Sequence, residues 1–192
     1  MKFIIINIYL FIMLQIVVAR YNEDVEWTRR YPNVIIYNKG EKLEGFDNVV
    51  ELPNVGREGH TYYKHITDNY DNLCDHTIFL QGRCDDHSPN IYKVLDKLIN
   101  NTEIRYNFGW LSESIHQSNI YSCFHRVFGV EPFGLTCEFG CGAQFIVHKS
   151  LIINKPKHFY ENIVNILGYD IDPKEGYDIE LFHAYIFHCT PA

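Results

Sequence analysis

The chain has 192 residues, 46% hydrophobic and 21% charged, with 17 basic against 24 acidic side chains and a net charge of −7. That length suits one globular domain of about 100–200 residues, and the composition excludes a disordered tail, a collagen-like repeat and a coiled-coil rod. An acidic chain without a Lys/Arg run lacks the basic footprint that nucleic acids require, so no nucleic-acid partner is expected.

The opening MKFIIINIYLFIMLQIVVAR carries Lys2 and then no charge until Arg20. It has two readings. A basic start followed by an apolar run over residues 3–18 describes a signal peptide or a membrane anchor, and a secretory or membrane-associated protein. Alternatively, residues 1–13 are an apolar extension and Gln15–Ala19 is a short buried strand at the start of a single domain over residues 14–192, which suits the cytoplasm equally. The polar cluster Arg20–Asp24 follows, then a short helix over Val25–Arg30. Asn33–Tyr37 is a second β-branched run, closed by the turn Asn38-Lys39-Gly40, and Val49–Leu52 is a weaker strand. The loop Pro53–Gly56 leads into a helix over Arg57–Tyr70. Thr77–Leu80 is a third strand, ending at Gln81-Gly82. Ser88 as N-cap and Pro89 at the first helical position predict a helix to about Asn100. Residues 102–136 are mixed. After the turn Gly140-Cys141-Gly142, Ala143–Val147 reads as a strand. Pro156–Leu167 is a helix stopped by Gly168, and Asp178–His188 is the last helix. Strands alternating with helices predict an α/β protein with a mostly parallel sheet, whose ligands sit at the carboxyl ends of the strands.

The six cysteines, Cys74, Cys84, Cys123, Cys137, Cys141 and Cys189, suit a disulfide framework in an exported chain and buried free thiols otherwise; free thiols are the favoured reading. Their spacing excludes a zinc ribbon. The sequon Asn100-Asn101-Thr102 matters only in a secreted chain. There is no Gly-x-Ser-x-Gly elbow and no His-Glu-x-x-His, and the lone Cys123-Phe124-His125 run is not read as a Cys–His nucleophile.

Five clusters can carry chemistry, each with a plainer structural alternative. Arg20, Tyr21, Asn22 and Glu23 after the first strand can hold a base or ribose, or simply cap the next helix. Gly56-Arg57-Glu58 at a helix start can hold an anion, or form a turn with a dipole-compensating Glu58. Asp85, Asp86 and His87 can bind a divalent cation, Mn2+ or Mg2+, or cap the Ser88 helix. Gly142, Ala143 and Gln144 permit close approach of a ligand. Asp178 and Glu180 at the last helix start offer a general base, or compensate the dipole.

Several blocks resemble a family of uncharacterised proteins, domain of unknown function 3431: Val18-Ala-Arg-Tyr-Asn-Glu-Asp24, Tyr37-Asn-Lys-Gly40, Leu52-Pro-Asn-Val-Gly-Arg-Glu-Gly-His-Thr-Tyr62, Phe79-Leu-Gln-Gly82, Asp86-His87 and Gly142-Ala-Gln-Phe-Ile-Val147. The resemblance extends from about residue 15 to the C-terminus. The order of the blocks also looks like that of nucleotide-sugar glycosyltransferases with a single Rossmann-like, A-type domain. That resemblance implies transfer of a sugar from a nucleotide-sugar donor to a glycan or other hydroxyl acceptor. It places Arg20, Tyr21, Asn22, Glu23, Asn38, Asn54, Gly56, Arg57, His60, Gln81 and Gly82 on the donor side and Gly142, Ala143 and Gln144 on the acceptor side. Glu180 or Asp178 would be the base, and Asp86 with His87 or Asp85 the metal ligands. The family's Asp-x-Asp is absent, since the strand ends in Gln81-Gly82 and the acids follow later. A non-catalytic nucleotide- or glycan-binding module is the alternative, and a metal-dependent hydrolase using Asp86, His87 and His60 a third reading.

Overall fold

A computed structural model describes residues 13–100, 104, 107–119 and 122–188. The expected leader, apart from Met13, lies outside the described residues, as do Cys189 and the Asn101-Thr102 part of the sequon. Four parallel strands, β1 (Leu14–Arg20), β2 (Val34–Asn38), β3 (Val49–Glu51) and β4 (His76–Gln81), form most of the sheet. Two later strands, β5 (Phe108–Trp110) and β8 (Phe145–His148), complete the order β3-β2-β1-β4-β8-β5. Strand β8 runs antiparallel to both its neighbours. The sheet is therefore mixed though mostly parallel, with one reversed strand. A separate antiparallel pair joins β6 (Ile115–Ser118) to β7 (Cys137–Gly140).

Strand β1 lies between β2 and β4, so residues 14–18 of the apolar run 3–18 form the middle of the sheet. Its alternation decides which side chains meet which layer. Val17 faces one apolar cluster, with Tyr37, Phe79, Phe145 and Val147. Ile16 and Val18 face the other, with Ile36, Ile78, Leu80 and Ile146. Both faces are buried, as the near-continuous apolar runs require. Among the described residues no helix is long and apolar enough to cross a membrane.

The first face is covered by α1 (Arg57–Asn69), α5 (Lys157–Leu167) and α6 (Glu175–His188). Helix α1 brings Tyr62, Tyr63 and Ile66, and α6 brings Ile179, Phe182 and Ile186, spaced at three and four residues, with Phe187 beside them. The second face is covered by α2 (Ile91–Asn100), through Ile91, Leu95 and Leu98. Each fully buried Phe, Leu or Ile contributes about 1.5–3 kcal/mol.

Several boundaries differ from expectation for local reasons. Ser88 does not cap α2: it is buried, its Oγ donates to the Leu111 carbonyl at 2.9 Å, and the helix begins at Ile91. Helix α6 begins at Glu175, three residues before Asp178. Gly142 and Ala143 remain a turn ahead of β8, both at positive φ, 79° and 52°. The helix over 25–30 is a 3-10 turn at Glu26–Arg30. Residues 102–136 yield β5, β6 and the short α3 (Phe124–Phe128), and α4 (Lys149–Ile152) follows β8. Among the described cysteines, Cys74, Cys84, Cys123, Cys137 and Cys141 are free thiols.

Candidate functional site at the carboxyl ends of β1, β2 and β4

The register of the parallel strands places Arg20 beside Asn38, and Ala19 beside Gln81, at one edge of the sheet. Here the strand order reverses, with β2 and β4 leaving β1 in opposite directions, which is where open α/β sheets form a ligand crevice. A cavity of about 540 Å³ opens at that point. Of the residues expected on the donor side, Arg20, Tyr21, Asn22, Glu23, Asn54, Arg57 and Gln81 line it, as does Asp86. Lys39, Glu58 and Arg83 also line it; the sequence placed Glu58 in the helix-start cluster only as dipole compensation and did not single out Lys39 or Arg83 as ligand contacts. Lys39 follows the last residue of β2, and Arg83 sits within the Gln81–His87 run; strand-end position was the signal available for both.

On the β1–β2 side the polar groups are saturated by the protein. The Arg20 guanidinium donates to the carbonyls of Tyr21, Glu23 and Glu41 and to Asn38 Oδ1. The Asn38 amide, fully buried, donates to the Glu41 carbonyl and the Glu51 carboxylate, so Asn38 lies behind the cavity wall. Asn22 Oδ1 accepts from the Glu41 amide, and the Glu23 carboxylate accepts from the Tyr21 amide at 2.7 Å. Gly82 lies beneath Glu23; a Cβ there would meet its carboxylate at 2.8 Å. The Tyr21 side chain remains exposed.

The α1 side is different. Gly56, at φ 65°, and Arg57, at φ 50°, turn the chain into α1. Their amides donate to the carbonyls of Asp170 and Ile171, so these two are committed to the protein, and anion attraction here falls to side chains. The Arg57 guanidinium is 3.6 Å from Asp172, 3.8 Å from Glu58 and 4.2 Å from the Tyr177 ring. The Lys39 ammonium is buried and donates to the carbonyls of Val55 and Arg57. Burial pushes it down to about 8, against the opposing pull of Glu58.

Glu180 stands beside this array. Its carboxylate accepts from the Gly142 amide at 3.1 Å and from the Ala143 amide. Burial, reinforced by the charge of Glu58, pushes its carboxyl up to about 7, while Arg57 and the two amides act the other way. The cradle depends on left-handed backbone. Gly142 leaves space that a Cβ would fill, 2.7 Å from the His87 ring. Ala143 and Arg57 hold positive φ despite carrying Cβ atoms, at a cost of about 1–3 kcal/mol each. Strain of this kind clusters at functional sites.

The other expected residues lie elsewhere. Asp178 is buried and accepts from Ser122 Oγ and the Cys123 amide, fastening the start of α3 to α6. Gln144 is buried and donates to the Cys84 carbonyl at 2.9 Å. His60 is buried below Gly56, near the end of α5 at Gly168, and desolvation holds it down to about 4. It therefore does not join Asp86 and His87 in a hydrolase-type cluster. The Asp86 carboxylate is exposed and 3.9 Å from Arg83, and the His87 ring packs on Gly142. Among the described residues no group of three or more His, Cys, Asp or Glu could hold a metal ion. In the run Asp85-Asp86-His87, all three exposed, the Asp86 carboxylate faces Arg83 and the His87 ring lies against the Gly142 turn.

Residues 16–107 match the family described as a protein of unknown function (DUF3431). The match spans the strand-end blocks from Val18 to His87 and ends before the Gly142–Val147 block. No curated protein and no solved structure matches the chain.

Proposed function

On the crevice geometry, in a chain whose residues 16–107 match the DUF3431 family, we propose that the protein is a glycosyltransferase, carrying a sugar from a nucleotide-sugar donor to a hydroxyl acceptor on a single Rossmann-like, A-type domain. The sheet order supports a donor site at the β1/β4 crevice, with Tyr21 exposed for the base. Four cations line that crevice; Arg20 is committed to protein acceptors, which leaves Lys39, Arg57 and Arg83. They suit the diphosphate and the charge it develops as it leaves. No step is routed through a metal ion.

The observation that carries the proposal is Glu180, a carboxyl at about 7 in contact with the Gly142-Ala143 turn and under the charge of Arg57. A base of that strength is matched to removing a hydroxyl proton near neutral pH. In the step itself, the acceptor oxygen bonds to the anomeric carbon and the bond from that carbon to the diphosphate oxygen breaks. The acceptor proton passes to Glu180, and the electron pair leaves with the diphosphate.

The test is a thermal-shift screen of the full chain against UDP-, GDP-, dTDP- and CMP-sugars, with and without Mn2+. A ligand at 100 times its Kd stabilises by about 2.7 kcal/mol. One nucleotide is expected to raise the melting temperature, and Arg57→Ala to remove most of the rise. Absence of any shift from folded protein would overturn the donor site. A shift without sugar transfer at high protein concentration would leave a binding module in place of an enzyme.

A further inference from the structure

We infer that the acceptor is a carbohydrate, seated with the apolar face of a pyranose ring against Tyr177, one helical turn before Glu180. The inference rests on the reading of Glu180 as the base. Tyr177 lies in the first turn of α6 and is 54% exposed. Residues three apart on a helix share a face, so its ring and the Glu180 carboxyl project to the same side. The Arg57 guanidinium sits over the ring at 4.2 Å and is itself anchored by Asp172 and Glu58. The ring is thus positioned by a cation in a residue that remains exposed.

The segment leading into α6 extends the surface. Tyr169 and Ile171 are both 60% exposed. The Tyr169 hydroxyl donates to buried Glu175, and the Ile171 carbonyl accepts from the Arg57 amide, so the strip is tied to the wall of the crevice. An aromatic ring with an apolar face and a polar tip suits a pyranose, which offers C–H groups on one face and hydroxyls at its edge. The base of the donor has a different platform: Tyr21 lines the cavity from the end of β1, whereas Tyr177 belongs to the Glu180 side. A ring resting on Tyr177 presents its hydroxyl edge toward the next turn of α6, where the base stands.

The experiment is saturation-transfer-difference NMR on the full chain with methyl β-D-glucopyranoside, methyl β-D-galactopyranoside and methyl α-D-mannopyranoside, and with a Ser/Thr hexapeptide as the competing acceptor. At least one glycoside is expected to receive saturation on the C–H protons of one ring face. Tyr177→Leu, which keeps apolar bulk without the ring, should cut that signal at least tenfold relative to any change in nucleotide affinity, and Tyr177→Trp should restore it. No glycoside signal, an equal signal in Tyr177→Leu, or saturation of the peptide alone overturns the inference. A glycoside signal that depends on Tyr177, in a protein that binds no nucleotide, would sink the glycosyltransferase reading and leave the carbohydrate surface standing.

Discussion

The crevice has two walls made from the same kinds of residue, and they behave differently. On the β1–β2 wall, Arg20, Asn38 and Glu51 bond to one another and to nearby backbone, and Arg20 and Asn38 are buried. On the α1 wall, Arg57 approaches its acids at 3.6 and 3.8 Å, beyond ordinary hydrogen-bond length, and its own backbone is strained. Glu180, on α6 behind that wall and not among the cavity's lining residues, is pushed up to about 7 by burial. Saturated polar groups hold a scaffold, because removing one partner strands the other. Strained and electrostatically shifted groups cluster at functional sites, which is the ground of the proposed ligand contacts here. An arginine in the sequence does not declare which wall it serves.

The largest expected effect that would break this contrast is on the reaction. Glu180→Gln keeps the shape and the contact with the Gly142-Ala143 turn but removes the base, and transfer should fall by roughly 10²–10⁴-fold with nucleotide binding kept. Equal loss in Asp178→Asn with the fold intact would contradict the division, since Asp178 holds α3. The acidic limb of the rate profile should lie near pH 7, where Glu180 becomes protonated. Glu58→Gln removes a charge that raises Glu180 and should move that limb to lower pH; a limb that stays put assigns the titration to another group.

Stability should respond to acid through the buried histidines of α1 and α6. His60 and His65 are held down to about 4 and His183 to about 3 by burial. The unfolded chain takes up protons at an ordinary histidine value near 6.5 while the native state does not. Stability is therefore full above about pH 6.5 and lost as pH falls toward 4 and then 3. Urea midpoints measured from pH 7.5 to 4 check the slope, and a flat profile would contradict the buried neutral imidazoles.

Asn38→Ala should cost about 1–3 kcal/mol by taking an acceptor from the buried Arg20 guanidinium, read as a lower urea midpoint. The smallest effect has the opposite sign. Arg57→Gly relieves the residue's positive φ and should leave stability within about 1 kcal/mol of the native protein, or above it, while weakening nucleotide binding. Loss of stability as large as that of Asn38→Ala would place Arg57 with the scaffold.

The amino-acid sequence by itself determined the parallel half of the sheet. Gln15–Ala19, Asn33–Tyr37 and Thr77–Leu80 are β-branched or apolar runs bounded by polar turns, and all three are strands within a residue or two. Local chemistry suffices there, because alternation and turn residues act over a few positions. Tyr21 was legible as a crevice residue because strand ends in such a sheet gather at one edge, Arg57 because it opens a helix, and Asn54 only through the block-order resemblance. Only the tertiary structure decided the rest. Strand β8 reverses because it pairs with both β4 and β5, a long-range choice with no local signal. Ser88 lost its capping role to a carbonyl 23 residues away. Glu180 and Asp178 are two residues apart on one helix and looked equivalent. The fold turned Glu180 to the amides of Gly142 and Ala143 and Asp178 to the start of α3. Burial and neighbouring charge set a carboxyl's strength, and both are properties of what packs around it after the chain has closed.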